Sequence, residues 1–390
     1  MTANRAQPVT RRRFLRVAGG GVALAGLRPA RAAARRRTLI LVKLAGGNDG
    51  LNTVVPYADP VYRRSRPAIG LEAGEVLRLG DGLGLHSGLA PLEEAWAAGE
   101  LAVVRGVGYR PPDRSHFRSM DVWETGGEPG VPRSQGWLAR LFEGRAEATP
   151  LAMLVIGSDP QVLLAGSGLA AVATGADAAL PPAAATASDA PAANPALAHV
   201  LAVQRRLAMA QAGLGEALAA LPSLAAPFPA HELGRRLEFA ARLVAGGSPA
   251  PVILVPVTGF DTHAGQRPVH DALLAALGDG LAALRRALVE AEAWPFATVA
   301  TYSEFGRRLA ENASGGTDHG TAAPQFVMGG GIAGGWHGDQ PSLADLEDRD
   351  TVPTVDFRAY LAGIAAAGLP DMADAAAAAL GVPPLALRRG

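Results

Sequence analysis

The 390-residue sequence contains no cysteine. A disulfide framework and a thiolate metal site are both excluded, and any nucleophile has to be a hydroxyl or a carboxylate. A basic excess is missing too, since Lys and Arg number 36 and so do Asp and Glu. Seven of those arginines fall in residues 1–32, a stretch with no acid, which leaves 29 basic residues against 36 acidic ones. Nothing remains of the positive field that nucleic acid needs. The apolar run nearest the N terminus, Val17 to Leu27, is too short and too glycine-rich to span a bilayer stably. No internal repeat is evident.

What is present fits a folded enzyme-sized chain. Hydrophobic residues make up 49%, enough for a sizeable core in one large or two modest domains. Thr10-Arg11-Arg12-Arg13-Phe14-Leu15-Arg16 precedes the short apolar run, and Ala30-Arg31-Ala32 follows it as a small-x-small cleavage site. That is the layout of a secretory signal over residues 1–32, and the paired arginines before Phe-Leu mark the twin-arginine type. The expected partner is the twin-arginine translocase, and the expected destination is periplasmic or extracellular. The alternative is a basic disordered tail.

From residue 33 the pattern alternates strands and helices. Arg37 to Ala45 reads as a strand buried on both faces, as in a parallel sheet. Leu101–Val107, residues 151–157 and Phe296–Thr301 read as further strands. Pro251–Val257 reads as one near an edge or short at each end. A helix carries Phe117, Met120 and Trp123 at three-residue steps, and another follows Pro268 with a stripe of Val269, Leu273, Leu277, Leu281, Leu284 and Leu288. Residues 165–196 are mostly Ala, Pro, Gly and Ser, a composition that predicts a mobile excursion. With the helices predicted at Leu197–Leu221 and His231–Ala245, it forms an insertion over about 165–247. The expected fold is α/β, one doubly wound, mostly parallel sheet with a small helical cap.

Ligand sites in such sheets lie beyond the carboxyl ends of the strands, and here those ends carry acids and imidazoles among glycines. Asp49 sits in Gly46-Gly47-Asn48-Asp49-Gly50. Asp261 and His263 follow the strand ending at Val257, two apart and so on one side of an extended segment. Glu304 and the adjacent Asp318-His319 lie in the loop after Thr301. A carboxylate beside an imidazole in a glycine-rich loop suits Zn, Mn or Fe better than Mg or Ca. Each motif alone also reads as a surface turn. Ser115 and Asp113 lie at the start of the helix after the second strand, where a hydroxyl meets the positive end of the dipole. Either can equally be its N-cap.

Five stretches carry a family resemblance: GGNDGLNT (46–53), DRSHFRSMDVWETG (113–126), GFDTHAGQ (259–266), YSEFGRR (302–308) and GTDHGTAAPQFVMGGG (316–331). Together they resemble the exported bacterial family called domain of unknown function 1501, which is in turn similar to the alkaline phosphatase and sulfatase superfamily. The resemblance implies a centre of one or two divalent ions, Zn or Mn, acting on phosphate or sulfate esters. Asp49, Asp318 and His319 would bind one ion, with Ser115 as the nucleophile. Asp261 and His263 would match ligands of the other. Glu304 is a ligand or supports one, and Arg114 or Arg307 would steady the non-bridging oxygens. For a third histidine, His337, His270 and His86 compete. The sulfatase formylglycine is excluded, because there is no cysteine to form it. The expected function is an exported metal-dependent hydrolase of small or polymeric esters. The alternative is a non-catalytic exported binding protein that keeps the fold and one ion.

Overall fold

Thr38–Leu44 forms β1, and all seven of its residues are buried. The architecture comes from a computed structural model that describes residues 36–145, 148–149, 151–159, 162–177 and 194–389. The expected signal at 1–32 and the middle of the Ala/Pro-rich stretch, 178–193, lie outside the described residues.

Eight more strands join β1 in one sheet. They are β2 (Leu101–Gly108), β3 (Leu151–Ile156), β4 (Ala170–Thr174), β5 (Val252–Val257), β6 (Ala297–Tyr302), β7 (Ala323–Gly329), β8 (Gly335–His337) and β9 (Val355–Asp356). Their order is β8-β2-β7-β6-β1-β5-β3-β4, and β9 also pairs with β2. Only β7 runs antiparallel to its neighbours; every other pairing is parallel. The structure is thus α/β with a mostly parallel central sheet. β5 lies inside the sheet between β1 and β3; Pro251 precedes it and accepts from Leu39 N, and Pro256 is its penultimate residue, opposite Lys43.

Alternation along β1 divides the core between two faces. Ile40, Val42 and Leu44 join one apolar cluster, while Leu39 and Leu41 join another. Six longer helices cover the sheet: α1 (His116–Thr125), α2 (Pro195–Ala219), α3 (Glu232–Ala245), α4 (Gln266–Glu290), α5 (Phe357–Gly368) and α6 (Ala373–Leu380). α3 and α4 fill the first cluster, and α5 fills the second with Trp123 and Trp137. Within the expected insertion, Leu233, Leu237, Ala240 and Val244 of α3 form the stripe read from the sequence and are part of this core. The α4 stripe differs in its first turn. His270 and Leu274 are buried, Leu273 is half-buried against the same core, and Val269 is exposed, because the start of the helix faces the loops at the strand ends. Among the described residues no helix is long and apolar enough to cross a membrane.

One charge sits inside the sheet. Lys43 of β1 is held 2.6 Å from Glu124 and 2.7 Å from Asp159. Tyr302 donates to the same Glu124 oxygen at 3.2 Å. Burial pushes the Glu124 carboxyl up, against the Lys43 charge.

Candidate metal centre

Loops leaving β1, β5 and β6 meet at one buried guanidinium. Arg307 donates from Nε to Gly47 O at 2.7 Å and from Nη1 to Thr317 O at 2.8 Å. Its Nη2 donates to Gly46 O, to Phe260 O at 3.1 Å and to Asp261 Oδ1 at 2.7 Å. Four carbonyls and one carboxylate from three separate loops are thereby fixed around a single planar cation. Glycine is required at the first loop. A Cβ on Gly46 (φ +121°) would sit 2.4 Å from Asp261 N, and one on Gly47 (φ +76°) would sit 2.3 Å from the Phe305 ring. Phe305 can therefore pack under two imidazoles, with ring centroids 5.0 Å from His116 and 4.6 Å from His319.

Those imidazoles converge on Asp261. His116 Nε2 lies 3.4 Å from Asp261 Oδ1, and His319 Nε2 lies 3.3 Å from the same atom. Among the described residues His116, Asp261 and His319 form a group whose ligand atoms all lie within 4.8 Å of one another. The other nitrogen of each ring is tied to an acceptor. His116 Nδ1 donates to Glu304 Oε1 at 2.8 Å, and His319 Nδ1 donates to Arg114 O at 2.7 Å. In its neutral form, with the proton on Nδ1, each ring turns an Nε2 lone pair toward a carboxylate oxygen. Lone pairs facing a carboxylate at this distance repel unless a cation lies among them. A carboxylate or a carbonyl behind each imidazole is also the usual support of a metal-ligating histidine. The donor set of two imidazoles and one carboxylate fits Zn, Mn or Fe.

Electrostatics set the two imidazoles apart. Burial pushes the His319 imidazole down and keeps the ring neutral, against its bond to the Arg114 carbonyl. The hydrogen bond to Glu304 raises His116 and so favours its protonated form, and a cation at Nε2 would take the place of that second proton. Burial raises the Asp261 carboxyl, but the Arg307 hydrogen bond and charge outweigh it and keep the group below its ordinary range. His263 stands beside the centre, its Nδ1 2.9 Å from Asp261 Oδ1 and its ring centroid 4.7 Å from that of His319. The Asp261 side chain is 48% exposed, so the centre is open to small molecules.

The remaining sequence candidates lie elsewhere. Asp49 is fully buried, with Oδ2 2.6 Å from Arg66 Nη1 and bonded by Gln266, and Oδ1 accepting from Leu51 N. Asp318 is exposed and accepts from Asn312 at 3.1 Å. His337, in β8, donates to Ala333 O at 2.7 Å. His270 pairs with Asn48 and His86 with Asp271. Ser115 is the N-cap of α1 without a side-chain capping bond, and Asp113 accepts from its backbone N–H at 2.9 Å. Glu304 acts behind His116, where it also accepts from Gly46 N at 2.8 Å. Sequence reasoning missed His116, although it stands in the DRSH tetrapeptide as the first residue of α1, just past a strand end.

The chain belongs to a family described as protein of unknown function DUF1501, which matches residues 111–363. No curated protein matches it in sequence. Among solved structures it is similar to the C-terminal periplasmic domain of EcEptC from Escherichia coli, in complex with Zn. The identity is 10% and the TM-score 0.36, over 77% of this chain and 74% of that one. A protein in the alkaline phosphatase superfamily from Vibrio parahaemolyticus is similar at 10% identity and TM-score 0.37, over 79% and 63%. The PsFucS1 sulfatase from Pseudoalteromonas sp. is similar at 13% identity and TM-score 0.34, over 89% and 68%.

Proposed function

We propose that this DUF1501 member is an exported metal-dependent hydrolase of phosphate or sulfate esters. One observation carries the reading: His116 and His319 both aim Nε2 at Asp261 Oδ1 while Glu304 and the Arg114 carbonyl hold their Nδ1 protons. His116, His319 and Asp261 would hold a divalent ion, Zn or Mn, which when bound supplies Lewis-acid polarisation of the ester. Ser115, exposed and one residue before His116, is the nucleophile in this reading. The N terminus of α1 favours negative charge developing on its oxygen. Arg307 keeps Asp261 ionised and the three loops in register, so its role here is positioning. The twin-arginine pattern at 11–16 supports delivery to the periplasm or beyond by the twin-arginine translocase.

The test pairs metal content with turnover. Purified protein should carry close to one equivalent of metal and cleave a member of a panel of aryl phosphates, phosphodiesters and aryl sulfates. Ser115→Ala should keep the metal and lose turnover. Less than a tenth of an equivalent after reconstitution ends the reading.

A second reading has its own support. The Ser115 hydroxyl has no hydrogen bond to a base among the described residues, and Asp49 is neutralised by Arg66. Both fit an exported binding protein that retains the fold and one ion without catalysis. Stoichiometric metal with no cleavage across the panel selects it.

A further inference from the structure

Three arginines, Arg110, Arg114 and Arg308, end on one acidic turn. Leu346–Glu347 pairs antiparallel with Asp350–Thr351, and the two turn residues between them, Asp348 and Arg349, have φ of 47° and 60°. Such turns favour glycine or asparagine, so this one holds two side chains in a disfavoured backbone region. The Asp348 carboxylate is 66% exposed, yet its Oδ2 lies 2.9 Å from Arg114 Nη1 and 3.9 Å from Arg308 Nη2. Glu347 pairs with Arg110. Arg114 Nη2 and Asp350 Oδ2 stand 3.5 Å apart, both buried and both without a hydrogen bond, and Arg114 Nε is also unsatisfied. The two arginines that grip Asp348 also frame the ligand His319. The Arg114 carbonyl accepts from its Nδ1, and Arg308 Nε donates to its carbonyl at 3.3 Å.

We infer that Arg114 and Arg308 form a subsite for a second tetrahedral oxyanion of the substrate, and that Asp348 fills it as an internal carboxylate until a ligand displaces it. The inference rests on the ester-hydrolase reading and deepens it by naming the substrate class: an ester bearing at least one phosphate or sulfate group besides the scissile one. A guanidinium fork pairs bidentately with phosphate or sulfate, whereas the Asp348 carboxylate turns one oxygen to both arginines, and Arg308 Nη1 otherwise donates to the Asp348 carbonyl at 3.4 Å. An exposed ion pair on a disfavoured turn is a weak competitor for that fork. The Arg114 donor that an incoming anion would take over is Nη1, which now faces the exposed Asp348 carboxylate.

Calorimetric titration of inorganic phosphate, and separately of inorganic sulfate, into the purified protein tests this. Asp348→Asn removes the internal competitor and should tighten anion binding about two- to fivefold, the size of one exposed ion pair. Arg308→Ala should weaken it by at least about fivefold, as loss of a charged hydrogen bond does. Metal content should be equal in all three proteins. The preferred anion identifies which ester chemistry the subsite serves. Affinity indifferent to both substitutions overturns the subsite, even where the metal is bound. Absent metal with anion binding that still responds to both substitutions retains the subsite and ends the hydrolase reading instead.

Discussion

Arg66 and Asp49 form a salt bridge that meets no solvent: Nη1 lies 2.6 Å from Oδ2, and both side chains are 0% exposed. Arg66 also donates to the carbonyls of Leu309 and Arg308 and to Asn52 Oδ1, so its charge is spent inside the fold. Burial raises the Asp49 carboxyl, but the Arg66 charge outweighs it and holds the group ionised below its ordinary range. Removing one partner strands the other in the interior. Asp49→Ala should cost about 3–5 kcal/mol in urea unfolding, with metal content per folded chain unchanged. Intact stability with loss of metal would place Asp49 among the ligands instead.

Arg307 is a further buried cation, and it has more to lose. Its five hydrogen bonds reach Gly46, Gly47, Phe260, Asp261 and Thr317. Lysine keeps the charge but cannot reproduce the fork. Arg307→Lys should lower stability by about 2–4 kcal/mol, because several carbonyls lose their donors, and should weaken metal binding by loosening Asp261. An unchanged unfolding midpoint would contradict the clamp.

The Glu304–His116 bond sets which nitrogen of His116 is free. Glu304→Ala removes the acceptor for Nδ1–H, so the ring can turn or change tautomer. Metal affinity, measured by chelator competition, should fall about 10- to 100-fold, and Glu304→Gln, which still offers an acceptor oxygen, should fall less. Equal losses in the two variants would show that charge, not orientation, is what Glu304 supplies.

How much of this was legible in the sequence follows from what each residue depends on. Asp261, His263 and His319 stand in the loops after β5 and β6, and the rule that parallel strands end at a shared edge brings them together in the structure. Asp49 satisfies the same rule, yet its partner Arg66 is the C-cap of the short helix Pro60–Ser65, and no spacing or periodicity links the two. His116 was overlooked because Ser115 beside it offers a familiar helix-start chemistry. The ring's role depends on Glu304, 188 residues away. β7 went unread because Pro324 and three glycines at 329–331 give Ala323–Gly331 the composition of a loop. Its antiparallel pairing with β6 and β2 is a tertiary choice.

His270 gives the fold a pH signature. It is 1% exposed, and burial pushes its imidazole down to about 4 from an ordinary 6.5. The unfolded chain therefore binds a proton that the folded chain refuses, so stability rises with pH across this window. The contribution is fully present above about 6.5 and is lost as pH falls toward 4, amounting to about 2 kcal/mol by pH 5. Urea unfolding of the wild type and of His270→Gln at pH 8 and pH 5 isolates it. The wild type should lose about 2 kcal/mol more than the variant, and parallel pH dependences would show that His270 keeps an ordinary pKa.

His116, His319 and Asp261 together would hold one divalent ion. Elemental analysis of the wild type beside His116→Ala and His319→Ala, each checked for folding by circular dichroism, tests it most directly. Close to one equivalent of Zn or Mn is expected in the wild type, and less than about a tenth in either folded variant. Equal metal in all three proteins, or none in the reconstituted wild type, would contradict it.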